Sequence, residues 1–437
     1  MLYKTLDSPL SIHLEVNTSC NQKCIHCYNF WRKEDKPVFI NLKKELAEHI
    51  VQQLKRFGVF HVVLNGGEPL MNLSTLLFLI DALSRNQISF SLNTNLTLLT
   101  ESSAQKLKDA GLEILLTSLL SHNPAVHNYL AQEENSFENF LNGFKIAKKV
   151  GFKITVNMVV SKVNKRDILG VGLLANSLGA SSFSATRVMP QHPYNSDFNE
   201  LLALDNGDVD HIIKSLMILH SDNIFVESLI PYPTCSFNNN AEFLVLGRKS
   251  CSAGKTSCVI GADGLVRACP HDSKVYGDIK NENLGLIWQN MSEWRDGSLI
   301  PLECKKCHFF SQCGGGCRMT STHVFEKDTA MRENQMESKH NIAIYPSMKS
   351  LDGIALLRVK ETCRFRKDGE LCVINTGGMK NVFINSETFG LLSTLYSEKS
   401  KFTVSELITK YDLHMNLEEC CNFFSHLVNR GVIEILT

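Results

Sequence analysis

The sequence predicts an α/β protein built on parallel strands, followed by a cysteine-rich segment and a small mixed domain. Three observations carry this. Apolar strands alternate with amphipathic helices over roughly the first two hundred residues. Residues 251–317 crowd cysteines together with little periodicity, and from about Asp352 regular strands and helices return.

The strands expected are Ile12–Val16, Phe60–Leu64, Ile88–Leu92, Ile114–Ser118, Ile154–Val159 and Ser182–Val188. Between the first two, Leu42, Leu46, Ile50, Leu54 and Phe57 form one apolar stripe and predict a helix over 42–57. Gly58, Gly111, Gly151 and Gly179 each stand where a helix should end, the position that favours a left-handed residue. Asn135 or Ser136 can cap the helix carrying Phe140, Leu141 and Phe144. Repeated strand–helix units imply parallel strands with right-handed crossovers, as a barrel-like arc or an open sheet. Chemistry in such folds gathers at the C-terminal strand ends. Asn65, Asn93, Asn95, Ser118, Asn157 and Arg187 fall there.

Bulk properties narrow the function. The 45 Lys and Arg balance 45 Asp and Glu, so neither nucleic acid nor an anionic membrane is expected as partner. Apolar runs such as Leu76–Ile80 are too short to span a bilayer. The start, Met1-Leu2-Tyr3-Lys4, shows no basic region followed by an apolar stretch, so a cytoplasmic location is expected. In that setting fifteen cysteines at tight spacings read as metal ligands rather than disulfides.

Cys20-x3-Cys24-x2-Cys27 directly follows the first strand. Three thiolates on one loop can hold three irons of a cubane and leave the fourth without a protein ligand. Structural zinc is the alternative; it wants a fourth ligand nearby, and His26 is awkwardly placed for it. Gly66-Gly67-Glu68-Pro69 ends the second strand. Two glycines let a ligand approach the backbone and Glu68 offers an acceptor for an ammonium group, though alone the run also fits an ordinary turn.

Together these residues resemble the radical S-adenosylmethionine (SAM) superfamily. The resemblance implies a partial (β/α)6 barrel and a 4Fe–4S cluster on Cys20, Cys24 and Cys27 whose open iron is chelated by SAM. It implies that Gly66, Gly67, Glu68 and Pro69 receive the SAM amino group. Asn93 or Asn95, Ser118, Asn157 and Arg187 would contact ribose and carboxylate. Two departures stand out. His26 occupies the usually aromatic place between Cys24 and Cys27. After the fourth strand the chain reads Ser118-Leu119-Leu120-Ser121, then His127-Asn128, with Ala131 where relatives carry an arginine, whose work would fall elsewhere, for instance to Arg187.

Cys251, Cys258 and Cys269 are followed by Cys304-x2-Cys307-x5-Cys313-x3-Cys317, with Gly314-Gly315-Gly316 giving room beside a cluster. The last four alone also fit a zinc ribbon. The whole resembles the SPASM extension of peptide-modifying radical SAM enzymes. That resemblance implies two auxiliary 4Fe–4S clusters, one on Cys251, Cys258, Cys269 and Cys317 and one on Cys304, Cys307 and Cys313. The second lacks its usual fourth cysteine; His323, Glu326, Asp328, Glu333 and His340 are the nearby donors, and a carboxylate is the expected substitute. Cys235 reads as a spare thiol near this region.

In the tail, strands at 363–365, 371–374 and 382–384 precede helices at 386–396, 404–411 and 417–429, a winged-helix pattern. Cys363, Cys372, Cys420 and Cys421 read as small apolar residues. Balanced charge argues against DNA binding. The tail resembles the PqqD-like RiPP recognition element, which binds the leader of a ribosomally made precursor peptide; the docking edge expected is Asn381–Asn385.

The expected organisation is a radical SAM partial barrel over 1–230, a SPASM domain with connector over 231–345 and a recognition element over 353–437. By resemblance, the protein is an enzyme of peptide maturation, antibiotic biosynthesis included, served by a flavodoxin or ferredoxin. Domain order favours a darobactin-type C–C or ether cross-link at an aromatic side chain. Thioether formation, epimerisation and sulfatase maturation stay open, as does a non-catalytic iron–sulfur regulator.

Overall fold

The computed structural model describes residues 5–33, 38–190, 200–247, 249–320, 327–332, 351–411 and 415–436. The chain forms two compact units, one of residues 8–341 and one of 342–437 with 4–7.

The first unit is organised by parallel strands β1 (Ser11–Glu15), β2 (His61–Asn65), β3 (Ser89–Asn93), β4 (Ile114–Ser118), β5 (Lys153–Val160) and β6 (Ser182–Arg187). Helices α1 (Lys44–Arg56), α2 (Leu73–Arg85), α3 (Glu101–Asp109), α4 (Pro124–Ala131), α5 (Ser136–Val150) and α6 (Ile168–Ser177) alternate with them. Each strand is within a residue of its expected bounds, because alternating Ile, Leu and Val leave no other way to bury the segment. Gly58, Gly111, Gly151 and Gly179 all take positive φ, as expected of helix ends.

The register runs evenly: Ile12 lies beside Val62, Val62 beside Phe90, Leu115 beside Ile154 and Val156 beside Phe183. After β6 come α7 (Asn206–Ser221), β7 (Val226–Glu227), which pairs parallel to β6, and α8 (Asn240–Leu246).

The cysteine-rich segment is more regular than its sequence suggests. It contains β8 (Ser257–Ile260), β9 (Leu265–Arg267) and β10 (Val275–Asp278), then α9 (Leu284–Asn290), α10 (Leu302–Lys305) and α11 (Phe310–Cys313). β8 pairs parallel to β1, so the strand order is β10-β9-β8-β1-β2-β3-β4-β5-β6-β7 and the segment extends the barrel's own sheet. A four-residue buried strand is too short for its periodicity to show in sequence.

The second unit holds β11 (Leu357–Val359), β12 (Arg364–Asp368), β13 (Leu371–Asn375), β14 (Asn381–Ile384), α12 (Ser386–Ser397), β15 (Lys401–Phe402), α13 (Val404–Tyr411), α14 (Leu417–Asn429) and β16 (Ile433–Ile435). The three expected strands form one sheet, β12-β13-β14, and a second sheet, β15-β11-β16, joins the ends of the unit. Phe402, Phe424, Leu392, Leu407 and Ile433 make its core, with Cys363, Cys420 and Cys421 among them as small apolar side chains.

Phe424 is 1% exposed and contacts both Phe402 and Phe423. Phe424→Ala is expected to lower stability by about 3–5 kcal/mol, read from a urea melt that follows this unit.

Candidate metal centre

The segment Asn17–Asn29 carries Cys20, Cys24 and Cys27 outside regular structure, so its backbone groups need partners elsewhere. Lys23 N and Ile25 N donate to the carbonyls of Ala131 and Leu130, 3.1 Å each, which the end of α4 leaves unpaired. Thr18 N donates to Ile40 O at 2.9 Å, and Cys27 N to Cys24 O at 3.1 Å. From β2, Gly67 N donates to Asn17 O (2.9 Å) and Glu68 N to Ser19 O (2.7 Å). Asn17 Nδ2 and Asn29 Nδ2 return bonds to Glu68 O and Gly66 O.

This changes the reading of the glycine turn. A Cβ on Gly67 would stand 1.9 Å from Ser19 O, and one on Gly66 2.3 Å from Asn17 O. The glycines admit the cysteine loop's backbone, and the turn is clasped to the loop. Glu68 is 1% exposed and accepts from Leu70 N (3.0 Å), Thr94 Oγ1 (2.7 Å) and Asn95 N (2.8 Å). Burial raises its pKa and these three bonds oppose the rise. Its carboxylate therefore joins β2 to β3, with one acceptor position left beyond these three bonds. Pro69 starts the 3-10 turn Pro69–Asn72 behind it.

The strand-end residues divide. Asn95 Nδ2 reaches Asn21 of the cysteine loop at 3.0 Å, and its Oδ1 accepts from Thr97. Asn157 Oδ1 accepts from Thr186 at 2.6 Å. Arg187 forms a buried, two-pronged ion pair with Asp328 (2.7 and 3.1 Å) and lies over the Tyr232 ring. Asn93 and Ser118 stay half-buried at the ends of β3 and β4. Asn17 Oδ1, Asn65 Oδ1 and Thr117 Oγ1 are buried without a hydrogen-bond partner, the sort of atoms a polar ligand at the strand ends would satisfy.

His26 and His127 complete the surroundings. Leu120 N donates to His127 Nδ1 (3.2 Å), so the proton sits on Nε2, which faces Ser136 Oγ at 3.0 Å. Gln22 Nε2 of the cysteine loop also donates to Ser136 Oγ, at 2.7 Å. Ser136 thus serves the loop, and of the two residues expected to cap the helix it is Asn135 that stands at the N-cap. Burial lowers the pKa of both histidines to about 4, so both are neutral near pH 7.

The second cysteine group forms two neighbourhoods. Burial raises the pKa of the Cys269 and Cys317 thiols, with neighbouring Cys251 adding to both. Cys258 lies on β8 beside Ile12, where burial likewise raises its thiol and Arg295 opposes the rise. Cys304, Cys307 and Cys235 pack with Ile300, Phe310 and Met331. Burial pushes the Cys304 thiol up to about 12, Cys313, Cys235 and Cys307 adding to the rise while Arg318 opposes it. Gly314, Gly315 and Gly316 all have positive φ, and a Cβ on Gly315 would lie 3.4 Å from Cys304 Sγ.

Asp328, one of the expected substitute ligands, has both oxygens occupied: besides Arg187 it accepts from Cys317 N (2.7 Å) and Ala330 N (2.8 Å). His323, Glu326, Glu333 and His340 lie outside the described residues. Glu15 and Arg267 pair in the interior, with the guanidinium 5.1 Å from the ring centres of Phe30 and Trp31. Sequence reading missed this pair, although a charge in a buried strand was the available signal. Tyr28, next to Cys27, stacks 4.3 Å from His271, whose Nδ1 is 3.8 Å from Cys269 Sγ.

Among the described residues no three His, Cys, Asp or Glu side chains converge as a single metal ion requires. A cubane binds its thiolates at separate irons, so it does not ask them to converge on one point. Residues 14–172 match the model of the radical SAM superfamily, and residues 251–314 that of the SPASM iron–sulfur cluster-binding domain. The chain is an enzyme that carries a radical SAM domain followed by a SPASM domain. A radical SAM domain binds a 4Fe–4S cluster and SAM, and a SPASM domain binds auxiliary clusters.

Among similar proteins, mycofactocin maturase MftC of Mycolicibacterium smegmatis is 26% identical, covering 71% of this chain and 79% of its own. AdoMet-dependent heme synthase of Methanosarcina barkeri is 24% identical, covering 71% and 92%. The fold resembles Streptococcus suis SuiB bound to precursor peptide SuiA (TM-score 0.58, 17% identity, 75% and 76% covered). It also resembles anSMEcpe with bound AdoMet and a peptide (TM-score 0.59, 20% identity, 74% and 94% covered).

Gly67→Ala is expected to force the cysteine loop off the turn: reconstituted protein should lose the SAM-perturbed EPR signal of the first cluster while keeping its auxiliary signals. His127 has a folded pKa of about 4 against 6.5 unfolded, so its contribution to stability is present above pH 6.5 and lost as pH falls toward 4. The stability gap between wild type and His127→Gln should shrink by about 3 kcal/mol across that window, measured by urea unfolding at each pH.

Proposed function

We propose that this enzyme modifies a ribosomally made precursor peptide, joining an aromatic side chain to a second residue by a C–C or ether bond, as in darobactin-type maturation. The observation that carries the peptide reading is the second unit, with its small sheet and edge strand, on a chain similar to proteins named as a maturase and as binding a precursor peptide. β14 is an edge strand whose four residues are all half-buried, the position in a sheet at which a peptide strand adds. Phe365 of β12 packs against Phe389 and Tyr396 of α12, closing the sheet's other face. A PqqD-like role in leader binding at Asn381–Asn385 fits this arrangement.

In this reading Cys20, Cys24 and Cys27 hold the first cluster, and the clasp to Gly66–Pro69 sets the loop where SAM's amino group meets the turn's backbone. Asn93 and Ser118 are the strand-end residues with side chains left to contact SAM. Asn95, Asn157 and Arg187 act by holding the walls. When bound, the cluster and SAM supply the 5′-deoxyadenosyl radical that removes hydrogen from an unactivated carbon. Auxiliary clusters held by the second cysteine group would offer an acceptor for the electron released on bond closure, with a flavodoxin or ferredoxin as the reductant.

The test is mass spectrometry of a precursor peptide encoded beside the gene, incubated anaerobically with reconstituted enzyme, SAM and reductant. Cross-linking is expected to remove about two mass units per event, with no change for the chain lacking Cys20, Cys24 and Cys27. An unchanged mass in water with a gain in deuterium oxide would replace the cross-link with epimerisation. SAM cleavage with an untouched peptide would remove the substrate assignment.

A further inference from the structure

The cluster set Cys304, Cys307 and Cys313 is one ligand short in sequence, and the structure brings a fourth sulfur to it from a distant segment. Residues 230–237 are fastened at several points before they arrive. Pro231 O accepts from Arg187 at 3.0 Å, and Tyr232 is fully buried beneath that guanidinium. Pro233 O then accepts from both Ser236 N (2.9 Å) and Ser236 Oγ (2.7 Å), which fixes the 3-10 turn Thr234–Ser236.

That turn touches the cysteine set directly. Thr234 N donates to Cys313 Sγ at 3.2 Å. The neighbouring Cys235 packs with Cys307 against Cys304, Ile300, Phe310 and Met331. Cys235 Sγ accepts from Arg332 N at 3.5 Å. Backbone N–H groups aimed at sulfur are the partners that iron-bound thiolates use to spread their charge. The rival carboxylate, Asp328, is fully engaged by Arg187, Cys317 N and Ala330 N, so taking it for iron would strand a buried guanidinium.

We propose that Cys235 is the fourth ligand of the iron–sulfur cluster held by Cys304, Cys307 and Cys313. The cluster is then closed by four thiolates drawn from the turn at 234–236 and from α10 and α11 with the loop between them. With no open iron it carries electrons and does not bind substrate. This rests on the SPASM clusters and not on the peptide reading, so its test uses no peptide.

The background is the full chain with Cys20, Cys24 and Cys27 replaced by alanine, which removes the open-iron cluster of the barrel. After reconstitution and mild ferricyanide oxidation, the Cys235→Ala version of that chain is expected to release about one more iron than its parent. It should also show a strong three-iron EPR signal above whatever the parent gives. Cys235→Ser, which offers an oxygen ligand of the same size, should keep the cluster but shift its reduced EPR spectrum and lower its midpoint potential. A residue that only fills space would move neither. If the alanine version fails to fold by circular dichroism, the serine version decides alone. Parent-like spectra, iron release and potential in the folded variants would overturn the assignment and return the fourth ligand to the segment around His323–His340.

Discussion

A loop that presents three thiols to a cluster can be neither helix nor strand, so its amides and carbonyls must find partners outside itself. Here they do so on two sides. The exposed carbonyls at the end of α4 take Lys23 N and Ile25 N, and the turn after β2 takes the carbonyls of Asn17 and Ser19. The second contact is tight enough that only glycine fits at position 67. Everything at the barrel mouth follows from that clasp. Glu68 is drawn inward to Thr94 and Asn95, Asn95 reaches back to Asn21, and the ends of β1, β2 and β3 become one hydrogen-bonded assembly.

Two buried ion pairs bind the auxiliary region to this assembly. Glu15 ends β1 just before the cysteine loop and meets Arg267 of β9. Arg187 ends β6 and meets Asp328, which also holds Cys317 N. Such pairs contribute little net stability, but losing one partner leaves an uncompensated charge and costs about 3–5 kcal/mol. They act as locating pins: the auxiliary cysteines cannot shift against the barrel without stranding a guanidinium. The contact between Tyr28 and His271 lies along the same seam, between a cysteine of the first group and one of the second.

Much of this was legible in the sequence. The strand and helix order came from apolar alternation, and the cysteine spacings with Gly66-Gly67-Glu68-Pro69 named the chemistry before any coordinate. The roles within the site were less legible. Glu68 and Arg187 looked like ligand-facing groups because they are polar residues at strand ends; Arg187 is taken up by Asp328, and Glu68 also bonds Thr94 and Asn95. Asp328 sat in a stretch that read as connector, and β8 was hidden in a segment that read as irregular.

By itself the sequence determined the fold class, the order of strands and helices and the candidate ligand cysteines of the barrel, since these depend on local periodicity and short spacing. Tertiary structure decided which polar groups remain for a ligand, because a buried carboxylate or guanidinium is claimed by whichever partner long-range packing delivers. It also decided that Cys235 meets Cys304, Cys307 and Cys313. Sulfurs gather through the pairing of strands and turns from separate segments, and no spacing along the chain encodes that meeting.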